Sequence, residues 1–460
     1  MKRISIKLGE EMVEVNLPDN TEILSTEQPK PLSNPAFFIQ KALIDSISSP
    51  SLDQIIEQKL KKNPEAKVVV VISDNTRPVP YKGKAGILWP IIEKLLAKNI
   101  SNDHILILVA TGTHRPLSEK ELIEMLDPRV FDHRIPIKNH NCRDKNNLVY
   151  LGETSRGSTI YINQDYMAAD IKILTGLIET HFMAGASGGR KSICPGLIGE
   201  ESIYIFHGAP MLVSPKVNDL IINDNPCHQE ALEVAKKAGA DYILNVTLDQ
   251  DFKLTGAFAG DLEEAQNQAV RQIIKYVTIP LDKEYDIVVT HAGFVGINQY
   301  QTAKAAIVAI PALKPNGKLI MIANNNDKDL IGSEKYKAVL HLLKIIGAKQ
   351  FSHLILSPDW TFVPDQWQVQ MWCRLFSKIP PDNFIYYSPR LSFNDYKIIP
   401  GIDGNIFLPR SERYKGNFKN AAQVIEKAVE AAIYELKSAG QEKIRIAYLV
   451  DGPYGVPVKS

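Results

Sequence analysis

KVVVVISDNTRP, residues 67–78, joins a run of β-branched side chains to a polar turn that ends in proline. A short, continuous apolar run of this kind reads as a strand buried on both faces, as in parallel sheets covered by helices. An amphipathic stretch at residues 87–98 supplies the helix that follows. Working outward, ILILVA at residues 105–110 is a second strand; a helix over 118–126 comes next, with Ser118 at its N-cap and acids in its first turn. Residues 171–174 and 242–247 continue the series, the latter after a helix at 229–238. A second series begins after Pro280, with strands at 285–290, 318–323 and 354–356 and helices at 302–310 and 333–346. This alternation predicts an α/β protein of two domains, each a largely parallel sheet flanked by helices, with the active site in the cleft between them.

The expected first domain spans residues 1–275 and the second 280–442, with the boundary inside 271–283. A terminal strand and tail at 443–460 is expected to return to the first domain. The N-terminus alternates apolar and polar residues around Gly9 and Glu10 and reads as a β-hairpin, not as a signal peptide. Residues 380–417, rich in Pro, Gly and Asn, read as irregular, ahead of a helix at 421–436 and a strand at 444–450.

A chain of 460 residues exceeds one ordinary domain. Its 53 basic side chains nearly cancel 52 acidic ones, so no global field draws it to nucleic acid or to an anionic membrane. Cys142, Cys194, Cys227 and Cys373 lie far apart and form neither a disulfide framework nor a zinc knuckle. No apolar run reaches the ~18 residues of a membrane span. The expected location is the cytoplasm.

Four polar clusters of the first half follow strands, where open α/β sheets bind ligands. SDNTRP (73–78) offers Asp74, Thr76 and Arg77. Arg77 suits a substrate carboxylate because its planar fork gives two parallel hydrogen bonds, although a capped turn with a surface ion pair accounts for the same residues. His114 follows the small Thr-Gly-Thr turn in ATGTHRP (110–116), as a base at a strand end or as a structural imidazole. In ETHFMAGASGGRKSICPG (179–196), the Ser187, Gly188 and Gly189 loop before Lys191 combines backbone N–H groups with cations and is our candidate for a phosphate; a simple glycine turn is the alternative. It is not a Walker A loop, since Arg190 stands where the second glycine belongs. His181 and His207 flank it, and imidazole by itself does not name a metal.

Taken together, SDNTRP, GTHR (112–115), HFMAGASGGRK (181–191) and the following His207 resemble the nickel-dependent lactate racemase family in order and spacing. GFVGINQYQTAKA (293–305) and DQWQVQ (365–370) are similar to its later motifs, so the resemblance covers nearly the whole chain. It implies a nickel pincer nucleotide, nickel pyridinium-3,5-bisthiocarboxylic acid mononucleotide, attached covalently at Lys191, with His207 as the protein ligand to nickel. It implies His114 and His181 as the two acid–base residues and Arg77 as the holder of the substrate carboxylate. Gln301, Lys304, Tyr300 and Trp367 would contact substrate, and Asp74 and Thr76 would border the cofactor. The implied partners are a small-molecule 2-hydroxy acid and the enzymes that build the cofactor; the oligomeric state stays open.

The implied reaction is racemisation or epimerisation at the α-carbon, by proton-coupled hydride transfer through a planar 2-keto acid. Two bases are needed because the two enantiomers present the hydroxyl on opposite sides. A substrate larger than lactate is expected, because Ala186 is small beside the glycine loop and residues 380–417 lend extra walls. Lactate itself and a non-catalytic nucleotide- or metabolite-binding homologue are the alternatives. A nicotinamide dehydrogenase ranks last, since no G-x-G-x-x-G opens a helix after the first strand.

Overall fold

In the computed structural model, which describes residues 1–9 and 11–459, the KVVVVI run forms the strand Val68–Ser73. Its five apolar side chains are at most 1% exposed, on both faces. Val68, Val70 and Ile72 pack with apolar residues of the helices Pro35–Ile44, Leu52–Lys62 and Leu88–Ala97, while Val69 and Val71 are buried on the opposite face. Ser51 with Gln54 and Ser118 with Glu121 close capping boxes at two helix starts.

The chain divides into two units, Gln28–Lys275 and Met1–Glu27 with Tyr276–Ser460. The sheet of the first runs Leu254–Gly260, Tyr242–Leu248, Ile171–Leu177, Val68–Ser73, Ile105–Ala110, Ile137–Asn139. All of its neighbours are parallel except the edge strand Leu254–Gly260. Val68–Ser73 therefore lies between Ile171–Leu177 and Ile105–Ala110, with all three carboxyl ends on one side.

The second unit carries an all-parallel sheet in the order Ile402–Asp403, Phe384–Tyr387, Leu313–Ile322, Tyr285–His291, Ile446–Leu449, Thr21–Leu24. Its composition corrects the expected domain limits. The N-terminal hairpin, Lys2–Leu8 with Glu11–Leu17, turns Ile6, Leu8, Val13, Val15 and Leu17 into the core of this unit. Glu10 of its turn lies outside the described residues. Residues 443–460 do not return to the first domain: Ile446–Leu449 sits inside the second sheet, between Tyr285–His291 and Thr21–Leu24.

Two local readings change as well. Residues 354–356 are not a strand but the end of the helix Glu334–Ile355, where Phe351 and Ile355, four apart, are the buried side chains. Gly347, at φ 78°, interrupts this helix and hid the continuity of its apolar face. Residues 380–417 are not irregular: they hold the sheet strand Phe384–Tyr387 and the helix Phe393–Ile398, capped by Ser392. Short 3-10 turns lie before the strand, at Pro381–Asn383, and after the helix, at Gly404–Phe407 and Arg410–Glu412.

Candidate active site

The three loops that follow the central strands of the first unit meet because of strand order. Asp74, at the end of Val68–Ser73, is 4% exposed, and its Oδ2 lies 2.6 Å from Nδ1 of His114. Its Oδ1 accepts from the Thr76 backbone N–H at 3.1 Å and from the Thr76 hydroxyl at 2.5 Å, a turn closed by the Asp side chain. Burial pushes the Asp74 carboxyl up, but the hydrogen bond and charge of His114 and the two Thr76 bonds outweigh it and hold the group below its usual range. An ionised carboxylate accepts only, so the Nδ1 of His114 that faces it carries a proton. Tyr81, fully buried, supports the loop: Ser73 N–H donates to its hydroxyl at 2.7 Å, and that hydroxyl meets Thr175 at 3.0 Å.

Arg77 reaches the next loop. Its Nε lies 3.2 Å from Oε1 of Glu179, both side chains being about a quarter to a third exposed (25% and 30%). Glu179 precedes the two-residue strand Thr180–His181, which pairs with Gly185–Ala186. His181 accepts backbone N–H bonds at Nδ1 from Met183 and Ala184, both at 3.2 Å, which puts its own proton on Nε2. Glu179 and the role of Asp74 as the partner of His114 escaped the sequence reading. Glu179 stands in the quoted motif, but its pairing with a residue 102 positions away is invisible in a local pattern.

The glycine loop serves the fold. The Ser187 N–H donates to Glu179 O and its hydroxyl to Leu177 O, while the Gly189 N–H donates to Oδ1 of Asn245 at 3.2 Å. Gln266 donates to the Ser187 carbonyl at 2.9 Å. A Cβ at Gly188 would meet Ile178 at 2.5 Å, and one at Gly189 would meet Gln266 at 2.4 Å. Close packing against Asn245 and Gln266 explains these glycines, and the Ser187 and Gly189 N–H groups are not open to an anion. Arg190, 1% exposed, sets its Nη1 against the His228 ring.

Lys191, in the same 3-10 turn Gly189–Ser192, is half-buried. His207, at the end of the helix Glu200–Phe206, is partly buried, and its pKa is pushed down to about 3 by burial, then by the charges of Lys191 and His114. These three side chains therefore share one electrostatic environment, in which the His207 imidazole is neutral, the form that binds metals. Among the described residues no group of three or more His, Cys, Asp or Glu side chains is placed to hold a metal ion. A metal at His207 would take its other donors from a cofactor, so the residues present fit a tethered organometallic group with one protein ligand.

The remaining candidates belong to the second unit. Tyr300, Gln301 and Lys304 open the helix Gln299–Ala309, capped by Asn298, and Trp367 begins the helix Gln366–Lys378. Trp367 Nε1 donates to the Tyr300 hydroxyl at 2.8 Å, and Gln368 holds the Tyr300 carbonyl at 2.6 Å.

The lactate racemase N-terminal domain family matches residues 8–219 and the lactate racemase C-terminal domain family residues 281–386. The chain is 32% identical over 340 residues to the lactate racemase of Lactiplantibacillus plantarum, covering 73% of this chain and 76% of that one. It is 30% identical over 383 residues to the lactate racemase of Thermoanaerobacterium thermosaccharolyticum, covering 82% and 86%. The lactate racemase apoprotein structure from the latter organism superposes with a TM-score of 0.83 at 25% identity, over 99% of this chain and 100% of that one. No helix of the described residues is long and apolar enough to cross a membrane. The chain belongs to the lactate racemase family of isomerases.

Proposed function

We propose that the protein inverts the α-carbon of a 2-hydroxy acid larger than lactate through a planar 2-keto acid, with Lys191 as the tether and His207 as the nickel ligand of a pincer nucleotide. The observation that carries this reading is the Asp74–His114 pair beside Arg77: a base braced by an ionised carboxylate, three residues from a guanidinium suited to the substrate carboxylate. Bound at Lys191 and His207, the cofactor supplies the acceptor and donor of hydride.

Everything else is the work of side chains. Glu179 occupies Nε of Arg77 and the Thr76 carbonyl accepts one weak bond from Nη1 at 3.5 Å, so the remaining N–H groups of the two terminal nitrogens form the fork proposed for the carboxylate. His114 takes the hydroxyl proton at Nε2, and the Asp74 charge balances the resulting imidazolium. His181 is the second acid–base residue. In the form described, it offers Nε2–H to the substrate oxygen as a hydrogen-bond donor. Passing a full proton requires one on Nδ1 too, so release of the Met183 and Ala184 amides accompanies that step. Gln301, Lys304, Tyr300 and Trp367 are the proposed substrate contacts of the second unit. Ala186, paired with Thr180 beside His181, is the small residue on which we base the choice of a larger acid. The four free, buried cysteines suit a reducing cytoplasm.

The test uses protein produced together with the cofactor-building enzymes. Intact mass should show an adduct that Lys191→Ala abolishes, and His207→Ala should lower nickel content while circular dichroism stays unchanged. An active enzyme with an unmodified Lys191, or full nickel stoichiometry without His207, would overturn the assignment.

A further inference from the structure

On the three loops that follow the central strands, Arg77, His114 and Arg115 each face a carboxylate. Arg77 has Glu179 at 3.2 Å, His114 has Asp74 at 2.6 Å, and both terminal nitrogens of Arg115 are held by Glu121, one of them at 2.8 Å. Asp74 and Glu121 are both held below the usual carboxylate range by these hydrogen bonds and so remain charged. Glu179 is also fixed by its backbone: its N–H donates to Oγ of Ser187 at 2.9 Å, and its carbonyl accepts from the Ser187 N–H at 3.0 Å. The carboxylate is thereby aimed at Arg77 from a locked strand start.

We propose that Glu179 is a specificity-determining residue that restricts the site to 2-hydroxy acids with a single carboxylate and an uncharged tail. The proposal rests on the reading that Arg77 holds the substrate carboxylate. The first substrate carboxylate shares the Arg77 charge with Glu179; a second, carried further along the substrate, adds another negative charge beside the Glu179 and Asp74 carboxylates. Hydroxyl groups on a longer tail carry no such penalty. Selection of this kind works by repulsion of the wrong ligand and not by added attraction for the right one.

The experiment compares wild-type and Glu179→Gln holoenzyme on a polyhydroxy monocarboxylate such as gluconate and on a dicarboxylate such as malate. Glutamine keeps an oxygen acceptor for Nε of Arg77 and removes only the charge. The ratio of kcat/KM for the dicarboxylate over the monocarboxylate should rise on the order of tenfold, the factor one unit charge exerts at roughly 10 Å in an intermediate dielectric. The inhibition constants of succinate and propionate, which need no turnover, should shift in the same sense. An unchanged ratio in both assays overturns the proposal. So does a Glu179→Ala enzyme that weakens both acids equally while Glu179→Gln behaves as wild type, because Glu179 is then only a brace. Arg77→Lys separates the underlying reading: if it leaves KM for the monocarboxylate unmoved, the Arg77 assignment fails whatever Glu179 does.

Discussion

His114 and His181 are the same side chain on two loops of one unit, yet the fold prepares them for different work. His114 is half exposed, with side-chain exposure of 54%, and its inner nitrogen rests on a buried, ionised carboxylate. It can gain a proton at Nε2 without reorganisation, because the countercharge is in place. His181 instead receives two backbone N–H groups on Nδ1, and amides cannot compensate a cation there. The comparison teaches that residue type marks a candidate base, while the partner of its far nitrogen decides whether the base is ready or must first be released.

The most severe way to break this comparison is to remove the brace. Asp74→Asn presents an amide N–H to His114, reverses its tautomer and should lower kcat by ~100- to 10,000-fold, the usual range for acid–base groups. His114→Ala and His181→Ala should each fall by the same order in both directions of inversion. Near-normal turnover in any of the three removes that residue from the mechanism. Nitrogen NMR of histidine-labelled protein sharpens the same contrast, with Nδ1–H at His114 and Nε2–H at His181; identical tautomers would contradict it.

A third imidazole shows what a purely structural histidine does. His140 is 2% exposed, with Nε2 3.1 Å from the Ile198 carbonyl and Nδ1 3.2 Å from the Asn163 amide. Burial pushes its pKa down to about 4, against the opposing Ile198 bond. The unfolded chain thus binds this proton first as pH falls. His140 contributes stability that is present above about pH 6.5 and is lost progressively down to about pH 4, by at most about 3 kcal/mol. The slope of unfolding free energy against pH over that window should be shallower in His140→Gln, and an equal slope would place the acid sensitivity elsewhere.

Smaller effects test the surroundings. Arg77→Lys keeps the charge and loses the fork, so KM for substrate should rise ~10-fold with kcat less affected. Ala186→Phe should reduce kcat/KM on long hydroxy acids more than on lactate, by ~1–3 kcal/mol of discrimination. A uniform loss on all acids would show that Ala186 borders packing and not substrate.

Much of the fold was legible because its signals are local. The β-branched runs at 68–73 and 105–110, the Ser118 cap and the polar turns after each strand need only a few neighbouring residues to be read. The end of Glu334–Ile355 was misread because Gly347 breaks the helical period. The alternating N-terminus announced a hairpin with one apolar face, but not which core would bury it.

The sequence by itself determined the α/β class, the polar clusters at strand ends and the membership of a family, all carried by short motifs and periodicity. Tertiary structure alone decided who meets whom. The parallel order that sets Val68–Ser73 between Ile105–Ala110 and Ile171–Leu177 brings Asp74 to His114 and Arg77 to Glu179, pairs separated by 40 and 102 positions. It also ties the Ser187–Gly189 loop to Asn245 and Gln266. Hydrogen bonds of this range depend on strand order, and strand order is settled by burying whole faces at once, a property that no single stretch of the chain contains.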